Sequence, residues 1–238
     1  MTVDPCLRCR PRCGTNGPMT RADEDAYWNA FYAGRHPDLE NPSSFARLVL
    51  TKLEPGALLF ELGCGNGRDA LFFADQGARV VACDRSAVAI KLLSDRPDLT
   101  RFRHRPRFLT ADFADLAQVY DTSHEPLDAV YSRFTLHAVP VEIQTAALAW
   151  SALHLRAGGQ LLIEVRSVNG SLYGKGEQVE RDAFIHDGHY RRFLRLDELT
   201  AELEGLGLAV TEATESAGVA VYKDDDPVVI RLTARKPA

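Results

Sequence analysis

Short apolar runs of strand length alternate with segments of helical periodicity along most of the chain. The apolar runs lie at 58–62, 79–83, 108–111, 127–134, 160–166, 208–213 and 228–234. Between them apolar residues recur at spacings of three and four, which predicts helices over 69–76, 86–93, 141–155 and 197–206. Strands that alternate with helices are typical of a parallel sheet with helices packed against it. For a chain of 238 residues we therefore predict a single α/β domain.

A glycine-rich segment follows the first apolar run directly. Gly63, Gly65 and Gly67 alternate with Cys64 and Asn66, and a predicted helix begins at 69. Because glycine has no Cβ, the backbone can turn sharply there and a ligand can approach it closely. The helix that follows points its free N–H groups at such a ligand. We expect this loop to hold a nucleotide-like molecule.

The spacing of these glycines excludes two common phosphate-binding loops. A dinucleotide fingerprint requires Gly-x-Gly-x-x-Gly, and its third glycine would fall at position 68, which is Arg68. The Gly-x4-Gly-Lys-Ser/Thr loop is absent as well. The sequence instead reads Glu-x-Gly-x-Gly-x-Gly, with Glu61 two residues before Gly63. This segment resembles motif I of the class I S-adenosylmethionine (SAM)-dependent methyltransferases. A glycine turn in an unrelated α/β domain is the alternative.

Acidic residues accompany the glycines and suit this cofactor. SAM carries an α-amino cation and a sulfonium but no phosphate, so a carboxylate such as Glu61 belongs near its cradle. Asp84 lies 17 residues after Gly67, about where such folds place the carboxylate that binds the ribose hydroxyls. Asp112 and Phe113, after the third strand, resemble the family's adenine-contacting pair. The SAM-binding residues that the resemblance predicts, with no metal, are Trp28, Glu61, Gly63, Cys64, Gly65, Asn66, Gly67, Asp69, Asp84, Arg85, Ser86, Asp112, Phe113, Ser132 and Arg133.

The resemblance also implies a fold. It is a Rossmann-like, mostly parallel sheet of seven strands in the order 3-2-1-4-5-7-6, with strand seven antiparallel and helices on both faces. We expect one methyltransferase domain over 23–238, with an N-terminal helical lid at 23–53 and an insertion at 167–192. The lid is loosely similar to that of the thiopurine and tellurite-resistance methyltransferases, through Tyr27-Trp28 and the segment 42–45. Its aromatic faces suit a cationic methyl donor.

Arginines gather where a methyl acceptor would bind. In the expected strand order the ends of strands four and five lie side by side, so Arg133 and Arg166 face one pocket. Tyr190, Arg191 and Arg192 can reach it from the insertion. Clustered guanidinium groups favour an anionic acceptor, because their fork matches a carboxylate, phosphate or phosphonate. Alternatively, one arginine holds the carboxylate of SAM and others pair with acids of the protein.

Tyr27, Arg133 and His137 are the candidate catalytic residues. Methyl transfer is an in-line displacement at an activated carbon, so the protein mainly supplies alignment and a dry site. A hydroxyl or amine acceptor must also lose a proton, and His137 has the titration range of a general base. A structural role for His137 is the alternative, and a carboxylate or thiolate acceptor needs no base. Acceptor contacts are predicted for Tyr27, His137, Arg166, Tyr190, Arg191 and Arg192.

Composition and charge narrow the class of partner. The net charge of -5 and the pI near 5.8 argue against a general nucleic-acid binder. No apolar run reaches the roughly 18 residues that span a bilayer, so we predict no membrane partner. Five cysteines in a chain without an apolar leader fit reduced thiols, and we expect a cytoplasmic monomer or homodimer. The basic segment 101–107 precedes strand three, opposite to the ligand-binding edge, and we expect a solvated loop.

Residues 1–22 differ in composition from the rest of the chain. Cys6, Cys9 and Cys13 supply three ligands, whereas a structural zinc site requires four. The prolines, glycines and arginines around them cannot build a core. We therefore expect a disordered Cys/Arg-rich tail.

These observations predict a SAM-dependent methyltransferase of a small anionic metabolite, with O-methylation favoured, in a biosynthetic pathway. Two alternatives stay open. A nucleic-acid methyltransferase would normally carry Asn/Asp-Pro-Pro-Tyr/Phe after strand four, where this chain reads Tyr131-Ser132-Arg133-Phe134. A non-catalytic SAM-binding regulator would bind SAM without turning it over.

Overall fold

The computed structural model describes residues 21–33, 41–186, 189–222 and 225–238. The predicted tail at 1–22, with Cys6, Cys9 and Cys13, lies outside these residues apart from its last two positions, which begin a helix. Among the described helices, none is long and apolar enough to cross a membrane.

Ten strands within the described residues form two sheets. They are β1 (Leu58–Leu62), β2 (Arg79–Asp84), β3 (Arg107–Thr110), β4 (Leu127–Arg133), β5 (Leu155–Arg166), β6 (Glu177–Glu180), β7 (Ala183–His186), β8 (His189–Arg192), β9 (Ala209–Ser216) and β10 (Val229–Arg235). The larger sheet has the order β3-β2-β1-β4-β5-β10-β9, and β10 runs antiparallel to both of its neighbours. The predicted order, with an antiparallel final strand, is confirmed.

Helices cover both faces of this sheet. They are α1 (Arg21–Ala33), α2 (Ser44–Leu50), α3 (Arg68–Asp75), α4 (Ala87–Ser94), α5 (Leu116–Val119), α6 (Val141–His154) and α7 (Leu196–Gly205). Short 3₁₀ turns lie at Pro97–Arg101, Phe113–Asp115 and Leu136–Ala138. Two helices begin at serine caps: Ser43 Oγ accepts a hydrogen bond from Ala46 N, and Ser86 Oγ accepts one from Ala89 N.

The central strands are mostly apolar because both faces of the sheet are covered. All five residues of β1 are buried. Phe60 and Leu62 pack with Leu148 of α6, whereas Leu59, which alternates with them, packs with Phe73 of α3 on the opposite face. The carboxyl ends of the parallel strands therefore meet at one edge of a rigid, doubly covered sheet.

One strand begins earlier than predicted, and the predicted insertion contains strands that the sequence pattern did not indicate. β5 begins at Leu155, five residues before the predicted run at 160, because Gly158 and Gly159 exchange backbone hydrogen bonds of 2.8 and 2.9 Å with Lys236. The insertion at 167–192, which carries little apolar pattern, contains the antiparallel sheet β6-β7-β8. The ring of Tyr173 packs there against Phe184, with centroids 5.3 Å apart.

Candidate functional site

The glycine loop connects β1 to α3 at the carboxyl edge of the sheet. Gly63 and Gly65 both have positive φ, at 71° and 53°. A Cβ on Gly63 would overlap the Thr135 side chain, and a Cβ on Gly65 would overlap the Tyr32 hydroxyl. The loop is tied to β2 by the Cys64 N–H, which donates to the Cys83 carbonyl at 2.9 Å. The left-handed turn therefore favours glycine at both positions, and the close packing against Thr135, after the end of β4, favours it further at Gly63.

A cavity of about 410 Å³ lies over this loop, within the range of sites for small molecules. Twelve of the fifteen predicted SAM-binding residues line it. Gly67, Ser86 and Ser132 do not. Gly67 is the N-cap of α3, Ser86 caps α4, and Ser132 Oγ lies 2.6 Å from Thr135 Oγ1 in a partly buried hydrogen bond.

Glu61 is the acid beneath the glycine loop. Its side chain is 4% exposed, and its Oε2 has no hydrogen-bond partner among the described residues. Burial raises the pKa of Glu61 well above its usual value, and the nearby Asp69 carboxylate raises it further. A buried carboxyl oxygen without a partner is costly unless a ligand satisfies it. The site therefore fits a ligand that presents a cationic hydrogen-bond donor, as the α-amino group of SAM does.

Asp84 ends β2 on the other side of the glycine loop. Its two oxygens accept backbone hydrogen bonds from Gly65 N at 2.8 Å and from Ser86 N at 2.9 Å. Burial raises the pKa of Asp84, although these two hydrogen bonds oppose that shift. Each carboxylate oxygen has a second lone pair. The carboxylate is thus held in a fixed orientation, with acceptor capacity left for a pair of hydroxyl groups.

Asp69, in the first turn of α3, holds the floor of the cavity together. Its Oδ1 accepts from Ser43 N at 2.8 Å, and its Oδ2 accepts from Ser43 Oγ at 2.7 Å and Tyr131 Oη at 2.8 Å. Burial alone would raise the pKa of Asp69, but Arg68 and the Ser43 hydrogen bonds outweigh it and lower the pKa. Asp69 therefore stays ionised and joins α2, α3 and β4 beneath the site.

Helix α1 forms one wall of the cavity. Trp28, Phe31 and Tyr32 line the cavity, whereas Tyr27 packs against the ring of His189, with centroids 5.4 Å apart. This wall is fastened to the start of α4 by polar contacts. Arg85 Nε donates to Asp25 Oδ1 at 2.9 Å, and Arg85 Nη2 lies 3.4 Å from Asp112 Oδ2. Ser86 Oγ donates to Asn29 Oδ1 at 2.9 Å.

Arginines line the side of the cavity at the ends of β4 and β5, and both are paired with carboxylates. Arg133 Nε lies 2.8 Å from Glu164 Oε1, and Arg231 Nε donates to the other oxygen of Glu164 at 2.7 Å. Glu164 is fully buried. Arg166 pairs with Asp225, whose side chain is 43% exposed. In the structure, Arg133 and Arg166 therefore both pair with acids of the protein, as the alternative interpretation of the sequence had it.

His137 and the insertion residues lie outside the cavity lining. His137 is 5% exposed, and its Nδ1 accepts from Arg166 N at 3.4 Å. Burial, and then the positive charge of Arg166, hold the pKa of His137 well below its usual value, so the imidazole is neutral. The buried guanidinium of Arg192 donates to Gln144 and to the Leu136 carbonyl, which supports the turn after β4.

Tyr190 and Arg191 also contribute no atom to the lining. The Tyr190 hydroxyl lies 3.5 Å from Glu180 within the insertion. Of the six predicted acceptor residues, only Arg166 lines the cavity. Within the described ranges, no cluster of three His, Cys, Asp or Glu side chains is arranged to hold a metal ion.

Several lining residues were not predicted. Phe31 and Tyr32 belong to an aromatic stripe with helical spacing, which was a usable signal. Phe134 and Thr135 directly follow Arg133. Tyr222 and Asp225 carried no sequence signal, because only the antiparallel return of β10 beside β5 brings the segment before it to this edge. The additional lining residues are Phe31, Tyr32, Arg68, Ala111, Phe134, Thr135, Ala138, Val139, Ala220, Tyr222 and Asp225.

Comparison with known sequences matches this chain to a family. The family profile described as a methyltransferase domain matches residues 33–213. A cypemycin N-terminal methyltransferase from Streptomyces sp. is 30% identical over 109 residues, which are 46% of this chain and 42% of that relative. The match thus spans less than half of the relative's length.

Solved structures share the fold. A 1,6-didemethyltoxoflavin-N1-methyltransferase from Burkholderia thailandensis, with bound 1,6-didemethyltoxoflavin and S-adenosylhomocysteine, superimposes with a TM-score of 0.64 at 18% identity and 94% coverage of both chains. A TehB-like SAM-dependent methyltransferase from Corynebacterium glutamicum superimposes with a TM-score of 0.58 at 20% identity, over 90% of this chain and 95% of that one.

Proposed function

The chain belongs to the methyltransferase-domain family, and we propose that this SAM-dependent methyltransferase modifies a small molecule bound at the carboxyl edge of its sheet. The observation that carries the proposal is the buried Glu61, whose Oε2 has no hydrogen-bond partner among the described residues, next to a glycine loop in which a Cβ on Gly63 would overlap Thr135. A cationic, phosphate-free cofactor with an N–H donor satisfies that acid, whereas a dinucleotide pyrophosphate offers no hydrogen-bond donor to its Oε2.

The residues around the loop have complementary roles toward SAM. Glu61 binds the ammonium group, Asp84 the ribose hydroxyls, and Asp112 with Phe113 the adenine. Bound SAM would supply a methyl group that its sulfonium activates for transfer to a lone pair of the acceptor. The aromatic wall of α1 excludes water. Alignment of this kind can lower the activation barrier by about 7–11 kcal/mol at best.

On the acceptor side we propose that Arg166 binds an anionic group. The guanidinium is 13% exposed and fixed, whereas its partner Asp225 is 43% exposed on the segment before β10. An acceptor carboxylate can replace Asp225 at modest cost, because the guanidinium stays paired and the half-exposed Asp225 carboxylate regains its hydration. Arg133 is a poorer candidate, since its partner Glu164 is fully buried and also neutralises Arg231.

The residues that line the cavity also indicate which kind of acceptor atom is methylated. No imidazole is among the described lining residues, and the Asp225 carboxylate on the acceptor side is held in an ion pair. An acceptor that is already ionised, such as a carboxylate, needs no general base. This supports the proposal of O-methylation of a small acid.

An amine acceptor is a second candidate. The exposed carboxylate of Asp225 at the cavity could attract an ammonium group, and the Streptomyces relative is an N-terminal methyltransferase. With an amine acceptor, Asp225 rather than Arg166 would make the contact.

The test is a panel of carboxylic acids, phenols, amines, peptides and nucleic acids, with formation of S-adenosylhomocysteine as the readout. Arg166→Lys should raise the KM of the preferred acid about tenfold, about 1.4 kcal/mol, and leave SAM affinity nearly unchanged. The control is Arg156→Lys, whose guanidinium pairs with Asp128 away from the cavity and should change neither value.

Turnover of amines alone, or an unchanged acceptor KM in Arg166→Lys, would reject the anionic acceptor. SAM binding without turnover of any acceptor would favour a regulator, and turnover of nucleic acid would favour that other class of methyltransferase.

A further inference from the structure

Phe134, directly after β4, has an unusual backbone conformation. Its φ is 57°, in the left-handed region that bulky residues rarely adopt. The surrounding structure enforces this conformation: Phe134 N donates to the Glu164 carbonyl at 2.8 Å, and Ala138 N donates to the Thr135 carbonyl at 2.9 Å. Such strained residues occur often at functional sites. Here the turn places the Phe134 side chain in the wall of the cavity.

Two guanidinium groups hold the Phe134 ring. Arg133 Cζ lies 4.4 Å and Arg166 Cζ lies 5.4 Å from the ring centroid. Both arginines are themselves fixed by carboxylates, Glu164 and Asp225. Because these cations already face the ring, a third cation such as a sulfonium would be repelled there. The ring is thus better suited to a neutral partner, such as another ring, than to the cationic methyl donor.

Aromatic residues are concentrated around the cavity. Six of its 24 lining residues are aromatic, whereas aromatic residues make up 8% of the chain. They are Trp28, Phe31, Tyr32, Phe113, Phe134 and Tyr222. Only Phe113 is assigned to the adenine, so most of these rings remain for the acceptor and the wall. Rings prefer other flat rings, in offset-stacked or edge-to-face contact.

We propose that the acceptor is a planar aromatic or conjugated acid, and that Phe134 is the residue that selects it. The inference rests on the proposed function, because it names the acceptor of the same site. Arg166 would bind the anionic group while the Phe134 ring, fixed beside it, contacts the acceptor ring. A saturated acid of the same charge would keep the first contact and lose the second.

The experiment measures binding of matched probes to the complex of the protein with S-adenosylhomocysteine, by ligand-observed NMR, which detects weak binding. Benzoate and phenylacetate are compared with cyclohexanecarboxylate and cyclohexylacetate. The wild type should prefer the aromatic member of each pair roughly three- to tenfold. Phe134→Leu should abolish that ratio, whereas Phe134→Tyr should keep it. The control Phe72→Leu, an aromatic change on α3 outside the lining, should keep it as well.

The possible failures are distinguishable. If the wild type does not bind S-adenosylhomocysteine, the proposed function is wrong. If it does, then equal binding of the paired probes, no binding of any aromatic probe, or an unchanged ratio in Phe134→Leu would overturn the role of Phe134. Loss of S-adenosylhomocysteine affinity in a folded Phe134→Leu would assign the ring to the cofactor instead, and would also overturn it.

Discussion

Gly63→Ala tests whether the glycine loop is packed as tightly against the end of β4 as the structure has it. Alanine at the φ of 71° is unfavourable by about 1–2 kcal/mol. Its Cβ would also overlap Thr135 Cγ2 and lie 3.0 Å from Thr135 Cβ. Overpacking of a well-packed site costs about 1–3 kcal/mol more. We therefore expect Gly63→Ala to lower the free energy of unfolding by about 2–5 kcal/mol.

Gly56→Ala is the matched control. Gly56 has a φ of 77°, but nothing lies within 4 Å of its Cβ position, so only the backbone cost of about 1–2 kcal/mol applies. Both variants are unfolded in urea, and their free energies of unfolding are compared with the same dependence on urea concentration. Thr135→Ser removes Cγ2 and retains the hydroxyl bonded to Ser132, so it should recover about 1 kcal/mol or more of the Gly63→Ala loss. Equal stability of the two glycine variants, or no recovery by Thr135→Ser, would refute this packing.

Two further predictions concern protons. SAM binding should release a proton wherever the pH lies below the raised pKa of Glu61, because a cationic ligand favours the ionised carboxylate; calorimetry in buffers of different ionisation enthalpy should detect this, and Glu61→Gln should abolish it. Identical heats in all buffers would contradict it. Burial, and then the positive charges of Arg191 and Arg166, lower the pKa of His189 to about 4. The neutral His189 should therefore contribute roughly 3 kcal/mol of stability. That contribution is fully present above pH 6.5, the usual His value, and is lost as the pH falls toward 4, so urea unfolding of His189→Gln should depend less on pH across this window. Equal pH dependence in both proteins would contradict the prediction.

The sheet and the position of the glycine loop at its carboxyl edge could be predicted because their signals are local. β1 is a mostly apolar run because both faces are buried, Glu61 lies within it, and the glycines follow it directly along the chain. The carboxyl edge of a parallel sheet then brings Asp84 to the same place from the next strand. In each case a residue's role depends on its position relative to one strand end.

The arrangement of the arginines at the ends of β4 and β5 could not be predicted in the same way because it depends on contacts between distant segments. Arg133 is paired with Glu164, which is shared with Arg231 from the last strand, and no local pattern announces that. Arg191 and Arg192 are adjacent in sequence, but successive residues of a strand point to opposite faces. Without the register of β8, their directions could not be assigned, and Arg192 turns toward the 3₁₀ turn after β4.

The central claim, that this loop binds SAM, is tested most directly by calorimetry of S-adenosylhomocysteine binding to the wild type and to Asp84→Ala. Removal of two hydrogen bonds to a carboxylate, each worth about 1.5–3 kcal/mol, should weaken binding at least about a hundredfold. Asp95→Ala, an exposed acid at the end of α4, is the charge-matched control and should bind normally. Circular dichroism must show that Asp84→Ala is folded, since Asp84 also accepts from Gly65 and Ser86. We predict tight binding by the wild type and the control, and loss in Asp84→Ala. No binding by the wild type, or unchanged affinity in a folded Asp84→Ala, would contradict the account.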